Sequence, residues 1–160
     1  MKDKFLTLNH STLFLCTSMY LGTGWSLVLF SFPITSKLTI DNYYLQFVPQ
    51  VTAATNFFTY MTQLMIVLSI IMIIAEWRTQ YRWFPITVLV SVFISTTLTI
   101  LYIFPYNNAM REGITDPEIL KSTLNSWMFL NKLRVGLWTI QWLSMMTYFG
   151  LKSKHSGEHQ

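Results

Sequence analysis

Four stretches of this chain carry no formal charge: residues 11–36, 42–75, 83–110 and 135–151 contain no Asp, Glu, Lys or Arg. Crossing the hydrocarbon core of a bilayer takes about 20 predominantly apolar residues. Three of the gaps exceed that length, and the fourth falls just short of it. Charged residues make up only 11% of the 160-residue chain, against about a quarter in a soluble domain. The pattern predicts an all-α integral membrane protein, a single domain over residues 1–160 folded as a four-helix bundle. The expected spans are about 11–33, 51–75, 84–106 and 127–151. The lipid bilayer is therefore the first expected partner, and the net charge of +4 flanks the spans rather than forming a nucleic-acid surface.

The N-terminal apolar run, from Ser11 to Pro33, is longer than a signal-peptide core and shows no small-residue cleavage site, so it reads as a retained span. Pro33 closes it, and Pro85 opens the third span, where its missing N–H is harmless. "TDPEILKSTLNSW" offers Thr115 or Asp116 as an N-cap, with Pro117 in the first turn. The fourth helix is thus expected to begin near residue 117, outside the bilayer. The shared side of the N-terminus, the second connection and the C-terminus carries Lys2, Lys4, Arg78, Arg82, Lys152 and Lys154, which the positive-inside rule places in the cytoplasm.

The segment "WMFLNKLRVGLW" puts polar residues at the lip of the fourth span. Trp127, Asn131, Arg134 and Trp138 are spaced by four, three and four, and so share one helical face. Lipid offers neither Asn131 nor Arg134 a partner, and an intramembrane arginine requires one inside the bundle. Gln50 and Asn56 near the start of span two, and Asn107 and Asn108 after span three, could converge with this face into a polar pocket at the outer end. Trp25 and Trp138 lie toward the middle of their spans, beside Gly22 and Gly24 in the first case, where they could line an apolar slot. Trp77, Trp83 and Trp127 fit an interfacial aromatic belt. Glu76 reads as interfacial, beside Arg78 in solvent.

Metal and cofactor chemistry finds little equipment. The lone Cys16 supplies no cluster, no pair of intramembrane histidines could hold a haem, and no phosphate-binding or dinucleotide motif occurs. His155, Glu158 and His159 have ligand-like types, but Gly157 and the terminal position disfavour the helix that would align them. No metal and no cofactor is expected.

Pro105, Asn107 and Asn108 in "FPYNNAM", followed by Trp127, Asn131 and Arg134, resemble the Pro-x-Asn-Asn and Trp-x-x-x-Asn-x-x-Arg motifs of the anthrone-oxygenase-like family of small four-span membrane proteins. The resemblance implies a bacterial inner-membrane protein and, by analogy with fungal relatives, a cofactor-independent monooxygenase acting on a small hydrophobic aromatic molecule. Arg134, Asn131 and Asn108 would then stabilise a developing oxyanion, with Trp127, Asn107, Trp138, Trp25 and Asn56 binding the substrate. The acidic residue that some members carry near the end of the first span is missing from "VLFSFPITS". The alternative is a non-catalytic accessory subunit that stabilises a larger membrane complex as a homo- or hetero-oligomer.

Overall fold

The computed structural model describes residues 2–157, which form helices and connecting turns with no strand among them. Three helices are long and apolar enough to cross a membrane: α1 (Asp3–Thr35), α2 (Tyr43–Glu76) and α3 (Gln80–Glu112). The last, α4 (Pro117–Gly157), runs for 41 residues without a break. It is long enough to cross, but its lysines, Arg134 and interior amides keep it out of that apolar class. These features are those of an integral membrane protein. All four helices extend beyond the expected spans, α1 and α2 chiefly at their N-terminal ends and α3 at both, while α4 begins at Pro117 as expected and runs past residue 151. The side chains of the tail cluster His155, Glu158 and His159 lie outside the described residues.

Turn chemistry explains the boundaries. Asn42 Oδ1 accepts from the Thr39 N–H at 2.9 Å in the first connection. Gly113, at φ +100°, ends α3 in a backbone conformation that suits glycine. Asp116 then caps α4, its Oδ1 accepting from the Glu118 N–H at 2.8 Å.

Contacts fix the arrangement. α1 lies antiparallel to α2 and to α4, with Asn9 against Leu68 and Tyr20 against Phe58 on one side, and His10 against Tyr148 and Trp25 against Thr139 on the other. α3 runs antiparallel to α4, with Phe84 against Ser144 and Asn107 against Trp127. Long side chains of α2 and α4 meet across the middle: Phe58 against Trp138, and Phe47 against Trp127.

The interior face of α4 has a steady period. Leu120, Leu124, Trp127, Asn131, Trp138, Gln141, Met145 and Tyr148 are all at most 4% exposed. With Arg134 and Lys152 they alternate spacings of four and three, the period at which one face of a helix keeps facing its partners. Two apolar clusters divide this face. One gathers Tyr20, Met65, Met72, Val88, Trp138, Met145 and Tyr148; the other gathers Phe32, Tyr43, Phe47, Ile103, Met110, Leu124 and Trp127. Asn131 and Arg134 fall between them.

Two π-turns break the α-helical register, at Leu27–Ser31 in α1 and Thr99–Ile103 in α3. Each precedes a Phe-Pro pair, Phe32-Pro33 and Phe104-Pro105. Proline has no N–H, and its ring crowds the carbonyl four residues earlier, here Leu29 or Leu101. Both carbonyls lie within a π-turn, where the wider coil relieves the crowding. In each case the Phe N–H reaches back five residues, to the Leu27 or Thr99 carbonyl.

Close approach of α1 and α4 depends on Gly24. A Cβ there would stand 2.8 Å from the Trp138 ring and 3.0 Å from Val135, whereas a Cβ at Gly22 meets nothing within 4 Å. Replacing Gly24 with Ala should therefore destabilise the detergent-solubilised protein by about 1–3 kcal/mol, read as a fall in Tm. The matched Gly22→Ala should leave Tm unchanged or raise it slightly.

Candidate functional site

A cavity of about 750 Å³ opens beside the face of α4 that carries Trp127, Arg134 and Trp138. Its volume lies within the roughly 300–1,000 Å³ common to small-molecule sites. All four helices contribute walls. Leu27 and Ser31 come from the first π-turn, and Thr99, Ile100 and Ile103 from the second. Both irregular turns therefore border the cavity, and the register shift that follows each proline sets which side chains it presents.

Arg134 is the only charged residue on the described wall. Its guanidinium donates to Thr99 Oγ1 at 3.3 Å and to Asn131 Oδ1, and it lies 4.7 Å from the centre of the Trp138 ring. Its Nε has no hydrogen-bond partner. Among the described residues the only ion pair joins Lys152 to Glu76, so no carboxylate neutralises Arg134. A cation out of water usually has an anionic counterpart, because its desolvation costs several kcal/mol. Here the ring face of Trp138, one hydroxyl and one amide oxygen take that part. Trp138 is itself held edge-on by Tyr20, with ring centres 4.7 Å apart. Tyr20 is fixed in turn by its hydroxyl, which donates to the Phe58 carbonyl at 3.0 Å and lies 2.7 Å from Thr62 Oγ1.

The expected residues separate into two groups. Trp127, Asn107, Arg134 and Trp138 do meet at the cavity, as does Gln50. The Trp127 indole donates to Asn107 Oδ1 at 2.8 Å, tying α4 to the end of α3. Asn131 stands behind the wall, fully buried, with its amide nitrogen donating to the Trp127 carbonyl and its oxygen accepting from Arg134. Its hydrogen bonds serve to aim the guanidinium. Asn108 is exposed on the turn of α3 that faces away, since its neighbour Asn107 takes the inward position. Asn56 is exposed too, and Trp25 sits on the outer surface with its indole on Thr139 Oγ1. None of these three lines the cavity. Trp127 is buried rather than interfacial, while Trp77 and Trp83 remain exposed with the Arg82 guanidinium 5.8 and 5.2 Å from their rings.

Glu76 also departs from expectation. It is 4% exposed and accepts from Lys152, from the Tyr148 hydroxyl at 2.7 Å and from Thr79 at 2.8 Å. Arg78 is exposed and takes no part. This second polar cluster closes the opposite end of the bundle, near both termini. Tyr148 and Lys152 continue the three-and-four spacing from Trp138, the signal that would have found them. Thr99 was legible only as one hydroxyl among several in "SVFISTTLT".

Truncating Trp127 to Phe should cost about 1–3 kcal/mol by leaving Asn107 Oδ1 buried without a donor. Trp25→Phe, whose indole bond is exposed, should stay within about 0.5 kcal/mol of wild type. Thermal unfolding of the two variants side by side tests the contrast. The chain matches no protein-family model, no curated protein and no solved structure.

Proposed function

We propose that the chain is a four-span membrane bundle whose cavity binds a small lipid-soluble molecule, aromatic in its body and anionic or carbonyl-bearing at its head. The observation that carries this reading is Arg134, a guanidinium on the cavity wall with no carboxylate partner among the described residues. The head group would complete the coordination of Arg134, and charge-assisted bonds of this kind are about twice as strong as neutral ones. The aromatic body would lie against Trp138, Tyr20 and Phe58. In this reading both termini are cytoplasmic, so the cavity opens toward the outer half of a bacterial inner membrane. α4 crosses despite Arg134, because the interior supplies that side chain with partners.

Oxidation of the bound molecule by dioxygen, without metal or flavin, extends the same reading. Arg134 would stabilise the oxyanion formed when an anthrone-like substrate loses its proton. The described wall holds no carboxylate, histidine or lysine to take that proton, and Tyr20 is its one other ionisable group. Binding is therefore the primary proposal and oxygenation the secondary one.

Mass spectrometry of small molecules that co-purify with the detergent-solubilised protein tests the proposal. Wild type should retain an aromatic or quinone-like compound, and Arg134→Ala should lose it by about 10-fold or more, as expected for a charged hydrogen bond worth about 1.5–3 kcal/mol. Retention of phospholipid alone, or of another membrane subunit, would overturn it in favour of an accessory role. Oxygen uptake by wild type on addition of an anthrone, lost in Arg134→Ala, would establish the oxygenase step.

A further inference from the structure

Between the cavity and the charged cluster at the far end lies a file of buried polar atoms with no hydrogen-bond partners. They are Asn9 Oδ1, His10 Nε2, Ser69 Oγ, and both the oxygen and nitrogen of the Gln141 amide. Their residues are 4%, 6%, 0% and 1% exposed, respectively. Leaving one such group unpaired costs about 1–3 kcal/mol, and five together are a heavy burden for a chain of this size. Buried water meets such needs where several polar atoms converge, typically making about three hydrogen bonds each.

Three of the four residues, Asn9, His10 and Ser69, gather at the level of Tyr148. The Asn9 amide donates to the Leu68 carbonyl, which sets its free oxygen beside the Ser69 turn of α2. His10 follows Asn9 and meets Tyr148 with its Nδ1, 3.2 Å from the phenol oxygen. The single hydrogen of Tyr148 goes to Glu76 Oε1. His10 Nδ1 must therefore be the donor, which leaves Nε2 as a bare acceptor pointing the other way. The ionisable groups around this ring are Glu76 from α2, Tyr148 and Lys152 from α4, and Tyr81, whose ring packs against Tyr148. Gln141 lies on the same face of α4, midway between Arg134 and Tyr148, about 10 Å along the axis from each.

We infer that Asn9, His10, Ser69 and Gln141 form a binding site for internal water, a proton relay that links the level of the cavity to the Glu76–Tyr148–Lys152 cluster. The purpose of the relay rests on the proposed ligand site; its hydration does not. A weak acid that enters from lipid and binds Arg134 as its anion leaves one proton behind, and hydrocarbon offers that proton no exit. Water at Gln141 passes it on, further waters carry it down the bundle to His10 Nε2, and His10 releases its Nδ1 proton toward Tyr148 and Glu76. Each O–H or N–H bond broken is matched by one formed, and the proton leaves beside Lys152, whose side chain is 45% exposed.

Solid-state NMR of the full chain in bilayers tests the inference by magnetisation transfer from water protons to side-chain nitrogens. Strong transfer should reach Gln141 Nε2 and His10 Nε2, although neither residue touches bulk solvent. Gln141→Leu, confirmed as folded by its helical circular dichroism, should reduce the His10 transfer severalfold. If that variant does not fold, Ser69→Ala should give the same loss. Absence of transfer at both nitrogens in wild type, or an unchanged His10 signal in the folded variant, would overturn the relay. Arg134→Ala separates the two proposals: it should abolish ligand retention while leaving both water signals intact, and failure of the ligand site alone gives no retained compound in a chain that still shows them.

Discussion

A guanidinium held among helices without a carboxylate partner constrains nearly everything else in this molecule. Removing such an ion from water is costly, and each neighbour of Arg134 offsets part of that cost. Trp138 offers a ring face, Thr99 a hydroxyl and Asn131 an oxygen. Those neighbours need supports of their own. Trp138 can stand where it does only because position 24 lacks a side chain, and Asn131 is oriented by the Trp127 carbonyl one turn earlier. Thr99 reaches inward from a π-turn that proline imposes on α3. The charge thus sits at the seam between two apolar clusters, and residues from three helices are recruited to tolerate it.

The two ends of the bundle handle charge in different ways. At the end near the termini, Glu76 and Lys152 neutralise one another, with Tyr148 and Thr79 completing the carboxylate's shell. At the cavity end the positive charge has dipoles and a π-face alone. A structural ion needs closure, and the first cluster has it. The second leaves its guanidinium on a concave wall without a carboxylate.

Much of this could be read from the residues alone. Charge-free gaps announced four helices, three of which are long and apolar enough to cross a membrane, and the spacing of Trp127, Asn131, Arg134 and Trp138 identified the face that turns inward. The same arithmetic carried further would have added Gln141, Tyr148 and Lys152. What could not be read was which of two adjacent amides faces the interior. Asn107 and Asn108 are chemically identical, and the choice between them depends on the number of residues per turn just upstream. A regular α-helix through Thr99–Ile103 would point a different residue inward. Asn56 and Trp25 illustrate the complementary failure: polar or aromatic character inside a span carries no direction until its neighbours are known. Glu76 was misjudged because two of its partners, Tyr148 and Lys152, come from α4, more than seventy residues away.

The π-turns also act on the cavity through register. Each holds one residue more than an α-helix of the same rise would need, so it sets the register of every residue beyond it. Were the same residues wound as a regular α-helix instead, everything beyond would rotate by about 100° around the helix axis. For α3 that would swing Asn107 away from Trp127 and bring a lipid-facing side chain inward. The winding at these two points, as much as the identity of the wall residues, therefore decides which side chains face the cavity.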